Sequence, residues 1–270
     1  MMEPTKGFVH SKDGTRIAYT RYGSGAMVVL VDGGLAAQDF GPNKSLAEAL
    51  SRRYTVYTYD RRGRGGSGDT LPFDVEREFE DLDAVANLAG ESVALYGISS
   101  GGGLILDYLR TGRSARKVAL YEVPFVVDDD TRPPAPDDYV EHVNSLLAQG
   151  KNGEVVKYFM RYVVHLPALL VAAFPIFPGW SHLKSVAPTV AYDLHYMVPF
   201  QWGRKLPADR WTNLGAPVAV IAGSKSPAWM RNANAALAQA IPGSNHQVLP
   251  GQTHLVKAAA LAPVLIDFFG

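Results

Sequence analysis

Residues 92–110 read SVALYGISSGGGLILDYLR, and the fold turns on how they are read. SVALYG (92–97) is a short apolar run with β-branched and aromatic side chains, which predicts a buried strand. From Ser100 onward the pattern predicts a helix. Between the two, Gly97-Ile98-Ser99-Ser100-Gly101 fits G-x-S-x-G with a strand before it and a helix after it, as that pattern requires. The chain must reverse sharply there, so strand and helix backbones crowd, and small residues two places either side of Ser99 relieve the crowding. Ser99 is then held in a strained conformation at the carboxyl end of the strand. The Ser100 amide opens the helix and points toward whatever Ser99 attacks. A glycine-rich packing turn with an idle serine is the alternative, and the strand–helix context weighs against it.

Outward from this turn, short apolar strands alternate with helical patterns. FVHS and RIAYTRYG flank the turn KDGT and predict an antiparallel hairpin at a sheet edge. AMVVLV (26–31), YTVYTYD (54–60), KVALYEV (117–123), PVAVIA (217–222) and NHQVLP (245–250) predict further strands. KSLAEALSRR (44–53), VEREFEDLDAVANLAG (75–90), RNANAALAQAI (231–241) and the C-terminal LVKAAALAPVLIDFFG predict helices. The expected fold is α/β, a mostly parallel eight-stranded sheet with helices on both faces. The rhythm breaks over residues 126–211, where an Asp/Pro-rich linker is followed by helix-like, aromatic-rich stretches without a convincing strand. The expected organisation is a core of residues 1–125 and 212–270 carrying a helical cap of residues 126–211.

The totals exclude several classes. The 270 residues are 47% apolar and 19% charged, with 26 basic and 26 acidic side chains, so no net field draws the chain to nucleic acid or an anionic membrane. There is no cysteine, which rules out disulfides, thiol nucleophiles and Cys-ligated metals. The opening MMEPTKGFVHSKDG carries no apolar signal-type run, and VVHLPALLVAAFPIF (163–177) is interrupted by His165 and two prolines and is shorter than a spanning helix. A cytoplasmic protein is expected. RGRGGSGD lacks the G-K-[ST] ending of a phosphate loop, and no spacing of histidines and carboxylates suggests a metal, so no cofactor is implied.

Two further loops bear on Ser99. In VVLVDGGLA (28–36), Asp32-Gly33-Gly34 ends a strand, and its glycines can turn their amides inward. A tetrahedral oxyanion needs two donors; Gly33 or Gly34 is expected to supply one and Ser100 the other. His254, in LPGQTHLVK after the last strand, is placed to act as a general base, and the order serine, acid, histidine suits an α/β arrangement.

DGG, YDRRGRGGSG (59–68, similar to D-x-R-G-x-G-x-S), GISSG, the insertion and the QTH loop together resemble the α/β-hydrolase superfamily over essentially the whole chain. Within it the chain is most similar to the zearalenone-lactonase-like group, which has a DG loop, an x-S-S-G turn and a glutamate at the end of the sixth strand. The resemblance implies Ser99 as nucleophile, His254 as base and Glu122, in YEVP, as the acid. The aspartate that usually follows the seventh strand is missing, because GSKSPAW (223–229) has Ser226 there. Glu122 closes the neighbouring predicted strand, and its extra methylene could span the added distance to the imidazole. Pairing with Arg61, Arg62 or Arg64 is its alternative role, and Asp128, Asp129 and Asp130 are reserve candidates. The expected activity is a serine esterase or lactonase working through an acyl-enzyme. C–C hydrolase, lyase or perhydrolase chemistry with the same triad is the alternative, or a weakly catalytic receptor-like homologue.

Aromatic residues concentrate in the insertion, and Trp180, Tyr158 and Tyr192, with Trp229 beyond it, are the candidates for a substrate wall. His165, His182 and His195 could at most line a pocket. The expected partner is a small hydrophobic ester or lactone rather than a sugar or charged metabolite, with no nucleic acid and no membrane; a homodimer is left open.

Overall fold

The computed structural model describes residues 3–90, 92–127 and 132–270. Eight strands, β1 (Thr5–His10), β2 (Arg16–Tyr22), β3 (Ala26–Val31), β4 (Tyr54–Tyr59), β5 (Ala94–Ile98), β6 (Lys117–Tyr121), β7 (Val218–Gly223) and β8 (Asn245–Leu249), form one sheet. They lie in the order β1-β2-β4-β3-β5-β6-β7-β8. The β1–β2 and β2–β4 pairs are antiparallel and the rest parallel. β5 and β6, with Ser99 and Glu122 just beyond their carboxyl ends, are therefore neighbours, and β7 lies next to β6.

Alternation along each strand divides the core in two. Val29 and Val31 face one side with Phe79 and Leu82 of α2 (Val75–Ala86), Ile105 of α3 (Ser100–Arg110) and Leu237 of α9 (Ala228–Ala240). Val28 and Leu30 face the other with Leu46 and Leu50 of α1 (Asn43–Leu50) and Leu261 and Leu265 of α10 (Ala258–Phe269). This period of two, apolar at every position because both faces are covered, makes the central strands read as unbroken hydrophobic runs.

Among the described residues between β6 and β7 run five α-helices: α4 (Tyr139–Ala148), α5 (Asn152–Tyr162), α6 (Ala168–Ala173), α7 (Trp180–Val186) and α8 (Val190–Met197). They build their own small core, in which Tyr139, Val143, Val155, Val156 and Val190 are buried together with Leu35 from the loop after β3. Among the described residues no helix is long and apolar enough to cross a membrane.

Strand β6 stops at Tyr121, two residues before the sequence pattern runs out, because Glu122 takes φ of +47° and leaves extended geometry. α2 likewise ends at Ala86, continues as a short 3₁₀ turn and closes on Gly90 at φ +66°.

Candidate active site

Ser99 sits between β5 and α3 with φ +57° and ψ −132°, a conformation that side-chain-bearing residues adopt only under constraint. Its backbone N–H is held by the Tyr121 carbonyl at 2.9 Å. The flanking glycines leave no room for anything larger: a Cβ on Gly97 would lie 2.7 Å from the Gly102 backbone, and one on Gly101 2.5 Å from the Val31 carbonyl oxygen. Gly33 is pressed against the serine itself, its missing Cβ falling 2.7 Å from Ser99 Cβ.

The loop carrying Gly33 and Gly34 is fixed from behind. Arg64 Nη1 donates to the Gly33 carbonyl at 2.6 Å and, more weakly, to the Ala36 carbonyl at 3.3 Å. Across a trans peptide the carbonyl of residue 33 and the N–H of residue 34 point in opposite directions, so this bond turns the Gly34 N–H away from Arg64. Arg64 also donates to Thr189 Oγ1 at 2.9 Å and to Asp193 Oδ2 at 3.0 Å, both on the insertion side. Arg61 binds Glu78 through two bonds of 2.6 Å and Asp193 Oδ1 at 2.7 Å. All four ionic side chains are buried. Burial alone would raise the Asp193 carboxyl, but Arg61 and Arg64 more than offset it and hold the group below its ordinary value.

Asp32, immediately before Gly33, is buried, and among the described residues neither of its carboxylate oxygens has a hydrogen-bond partner. Loss of hydration pushes its pKa up to about 7, with Arg64 opposing and Asp60 adding to the rise.

Glu122 is fully buried at the end of β6. Its Oε2 lies 2.9 Å from His254 Nδ1. Its Oε1 accepts the Gly223 N–H at 2.7 Å and the hydroxyl of Ser226. The position after β7 therefore supplies a hydroxyl donor to the carboxylate instead of a carboxylate of its own. The loop bearing His254 is tied to both strands: Tyr121 Oη donates to the Thr253 carbonyl at 2.7 Å, and the Lys225 N–H to the Gln252 carbonyl at 2.9 Å. With Nδ1 committed to Glu122, the ring has Nε2 to offer. Ser99 Oγ and His254 are not hydrogen-bonded to each other in this structure; such contacts commonly tighten only in the substrate complex. Glu122 bonds none of Arg61, Arg62 and Arg64, whose acidic partners are Glu78, Asp81, Asp13 and Asp193. Asp128, Asp129 and Asp130 lie outside the described residues.

A narrow cavity of about 30 Å³ opens at Ser99 and Ser100, walled by Tyr139, Phe159, Leu194 and Met197 and by the edge of Asp193. The four aromatic residues singled out from the sequence do not line it. Trp180 packs over Gly153, and Tyr158 lies between Tyr139 and Tyr162 in the insertion's own core. Tyr192 stacks on Phe73 at 3.9 Å and bonds Asp69, and Trp229 lies beneath the Arg132 guanidinium. These rings went into local packing, while Phe159, the residue after Tyr158 on α5, and Tyr139, on the preceding helix α4, took the wall. His165, His182 and His195 are not on that wall either; the last two pack at a tilt against Phe40 and Phe73. Sequence reasoning also missed Arg64 and Asp193. The signal was three arginines in four positions after β4, where the family turn calls for one.

The sequence profile of the alpha/beta hydrolase family matches residues 27–263. The chain belongs to that family. An alpha/beta hydrolase from Sphaerobacter thermophilus DSM 20745 is 43% identical, with 98% of this chain and 100% of that one covered and a TM-score of 0.90. The enol-lactonase from Burkholderia xenovorans LB400 shares the fold at 21% identity, covering 97% of this chain and 99% of its own, with a TM-score of 0.68. A thermophilic esterase from Thermogutta terrifontis does so at 18% identity, covering 98% and 100%, with a TM-score of 0.66. Among curated proteins, a non-heme haloperoxidase of Rhodococcus erythropolis is 33% identical over 133 residues, a stretch spanning 47% of this chain and 48% of that protein. The structures below 25% identity show the fold alone, and the chain spans about half the length of the curated relative it matches.

Proposed function

We propose that this α/β hydrolase is a serine hydrolase that cleaves a carboxylic ester or lactone through an acyl-enzyme. Ser99 Oγ adds to the carbonyl carbon while its proton passes to His254 Nε2. The Gly34 and Ser100 amides hold the oxyanion, with Gly33 keeping the loop against the serine. Collapse breaks the C–O bond, and the leaving alkoxide takes the proton from His254. Water then repeats the sequence and frees the acid. Glu122 holds the imidazole by Nδ1 and stabilises its charged form. The apolar walls of the cavity favour an apolar acyl body.

The observation that carries this reading is the 2.9 Å contact between His254 Nδ1 and a buried Glu122, on a loop beside a serine strained to φ +57°. The tests are labelling by a fluorophosphonate and turnover of p-nitrophenyl esters. Both are expected in the native enzyme and absent in Ser99→Ala; no labelling in the native enzyme overturns the reading. The motifs shared with zearalenone-lactonase-like proteins favour a lactone within this class, and a set of macrolactones and aryl esters ranks the two. The haloperoxidase named among the relatives supports a second outcome for the acyl-enzyme, capture by hydrogen peroxide to give a peracid. Halide oxidation in the presence of acetate and peroxide, lost in Ser99→Ala, is its signature.

A further inference from the structure

Arg132 is only 2% exposed, and none of its three side-chain nitrogens has a hydrogen-bond partner among the described residues. Its one close contact of note is the face of Trp229, 4.4 Å from the guanidinium carbon. Every other buried arginine of this chain is paired: Arg61, Arg62 and Arg64 all hold carboxylates. A buried cation without a counter-charge is costly, and an aromatic face offsets only part of that cost. Burial lowers the Arg132 pKa to about 10.

Arg132 stands near the Ser99 cavity. Its loop is tied to the cavity lining, because the N–H of Ala135, three residues on, donates to the carbonyl of the cavity residue Gln201 at 3.4 Å, and the charge of Arg132 also acts on the buried cavity residue Tyr139. Two cavity residues, Ser100 and Gln201, present Oγ and Oε1 without partners, and the Tyr139 hydroxyl is equally unpartnered. His165 Nε2 is buried and unpartnered as well, and burial followed by the charge of Arg132 lowers its pKa to about 4, leaving a neutral ring near neutral pH. Ser100, Gln201 and Tyr139 thus bring unpartnered hydrogen-bonding groups to a cavity whose other walls are apolar apart from the paired Asp193, with Arg132 and His165 outside its lining. Stacking on Trp229 occupies the face of the guanidinium and leaves its in-plane N–H fork free, the geometry that takes a planar carboxylate.

We propose that Arg132 anchors a carboxylate of the substrate, so that the ester or lactone opened at Ser99 carries a free carboxylate on its acyl portion. This rests on the serine-hydrolase reading and narrows it: the acyl body is apolar, and its far end is anionic. The proposal departs from the expectation of an uncharged substrate. Because the cavity of about 30 Å³ holds little more than two water-sized centres, at roughly 10–15 Å³ each, substrate entry must widen it.

The test uses mono-p-nitrophenyl esters of dicarboxylic acids from adipate to sebacate, each against its neutral isostere ending in an isopropyl group. At the best chain length the native enzyme is expected to favour the anionic ester by about 10- to 100-fold in kcat/KM, the range of a charge-assisted bond. In Arg132→Met that ratio should collapse to near one. The free dicarboxylate should raise the Tm of the native protein and not that of Arg132→Met, a readout independent of turnover. Removing an unpaired buried cation should itself raise the Tm by a few degrees, whereas loss of a structural arginine lowers it. A ratio near one at every chain length in the native enzyme, a preference that survives Arg132→Met, or dicarboxylate binding that ignores the substitution overturns the proposal. If neutral esters are cleaved and Ser99 is labelled in those cases, the hydrolase reading stands without it. If Ser99 is not labelled at all, the hydrolase reading falls and the dicarboxylate shift still decides the anion site.

Discussion

Ser226 donates its hydroxyl to Glu122, from the corner after β7 where this fold usually keeps an aspartate. The two positions have exchanged duties: β6 supplies the charge, and β7 supplies a donor, through Ser226 and the Gly223 N–H, that steadies it. The exchange can be reversed in the laboratory. Glu122→Gln should lose about 10³–10⁴ in kcat, the cost of removing a triad carboxylate. Adding Ser226→Asp to that variant should recover at least roughly ten-fold by returning the acid to β7. Stopped-flow or steady-state p-nitrophenyl ester assays read both steps, and a Glu122→Gln enzyme of near-native kcat refutes the assignment.

Arg64 sets the direction of the 33–34 peptide through its 2.6 Å bond to the Gly33 carbonyl. Arg64→Met should therefore lower kcat by about 10²–10³, comparable with loss of one oxyanion donor, and change KM much less. Asp193 would keep Arg61 as its only arginine partner, so a stability loss of up to about 3–5 kcal/mol is expected in urea unfolding. Arg64→Lys, retaining charge but not the fork, should regain stability more than kcat.

Gly33→Ala places a methyl 2.7 Å from Ser99 Cβ, so either the loop or the serine must move. A displacement near 1 Å at a nucleophile costs about 10²-fold, and fluorophosphonate labelling should slow by about that factor while the fold persists. Labelling at the native rate would show that the loop yields without consequence.

Asp32 gives the pH dependence. Its folded pKa of about 7 lies above its unfolded value, so the native state holds the proton more tightly. Stability from this group is complete below pH ~4, falls as pH rises toward 7 and stays low above it. Asp32→Asn should remove that fall, gaining on the order of 4 kcal/mol at pH 8 relative to pH 4 as an upper figure. Denaturant titrations of both proteins at the two pH values decide it; parallel stability curves would mean that the carboxylate is not strained.

What could be read from the chain was what local rules govern. GISSG announced its turn because the crowding it relieves lies within a few residues, and the central strands announced themselves because both faces are covered. Glu122 could be named only through family resemblance, since the pattern carried β6 past it and gave no hint of its φ of +47°. The wall of the cavity was not legible. Tyr158 and Phe159 are adjacent and equally aromatic, and only the packing of α4, α5 and α8 decides that the second faces Ser99. Nor could spacing reveal that Asp193 meets Arg61 and Arg64, which lie 132 and 129 positions before it in the chain.

Those two arginines have a mechanical consequence. Each grips Asp193 on α8 with one hand and the sheet side, Glu78 or the Gly33 carbonyl, with the other. Swinging α8 outward would strand charges in a dry interior, so that flank is expected to stay closed. The wall free of these ion pairs is the one that Phe159 of α5 and Val163 supply, and admission is expected there. A crosslink pinning α5 to the sheet should seal the serine from reagents, whereas one pinning α8 should leave it as accessible as before.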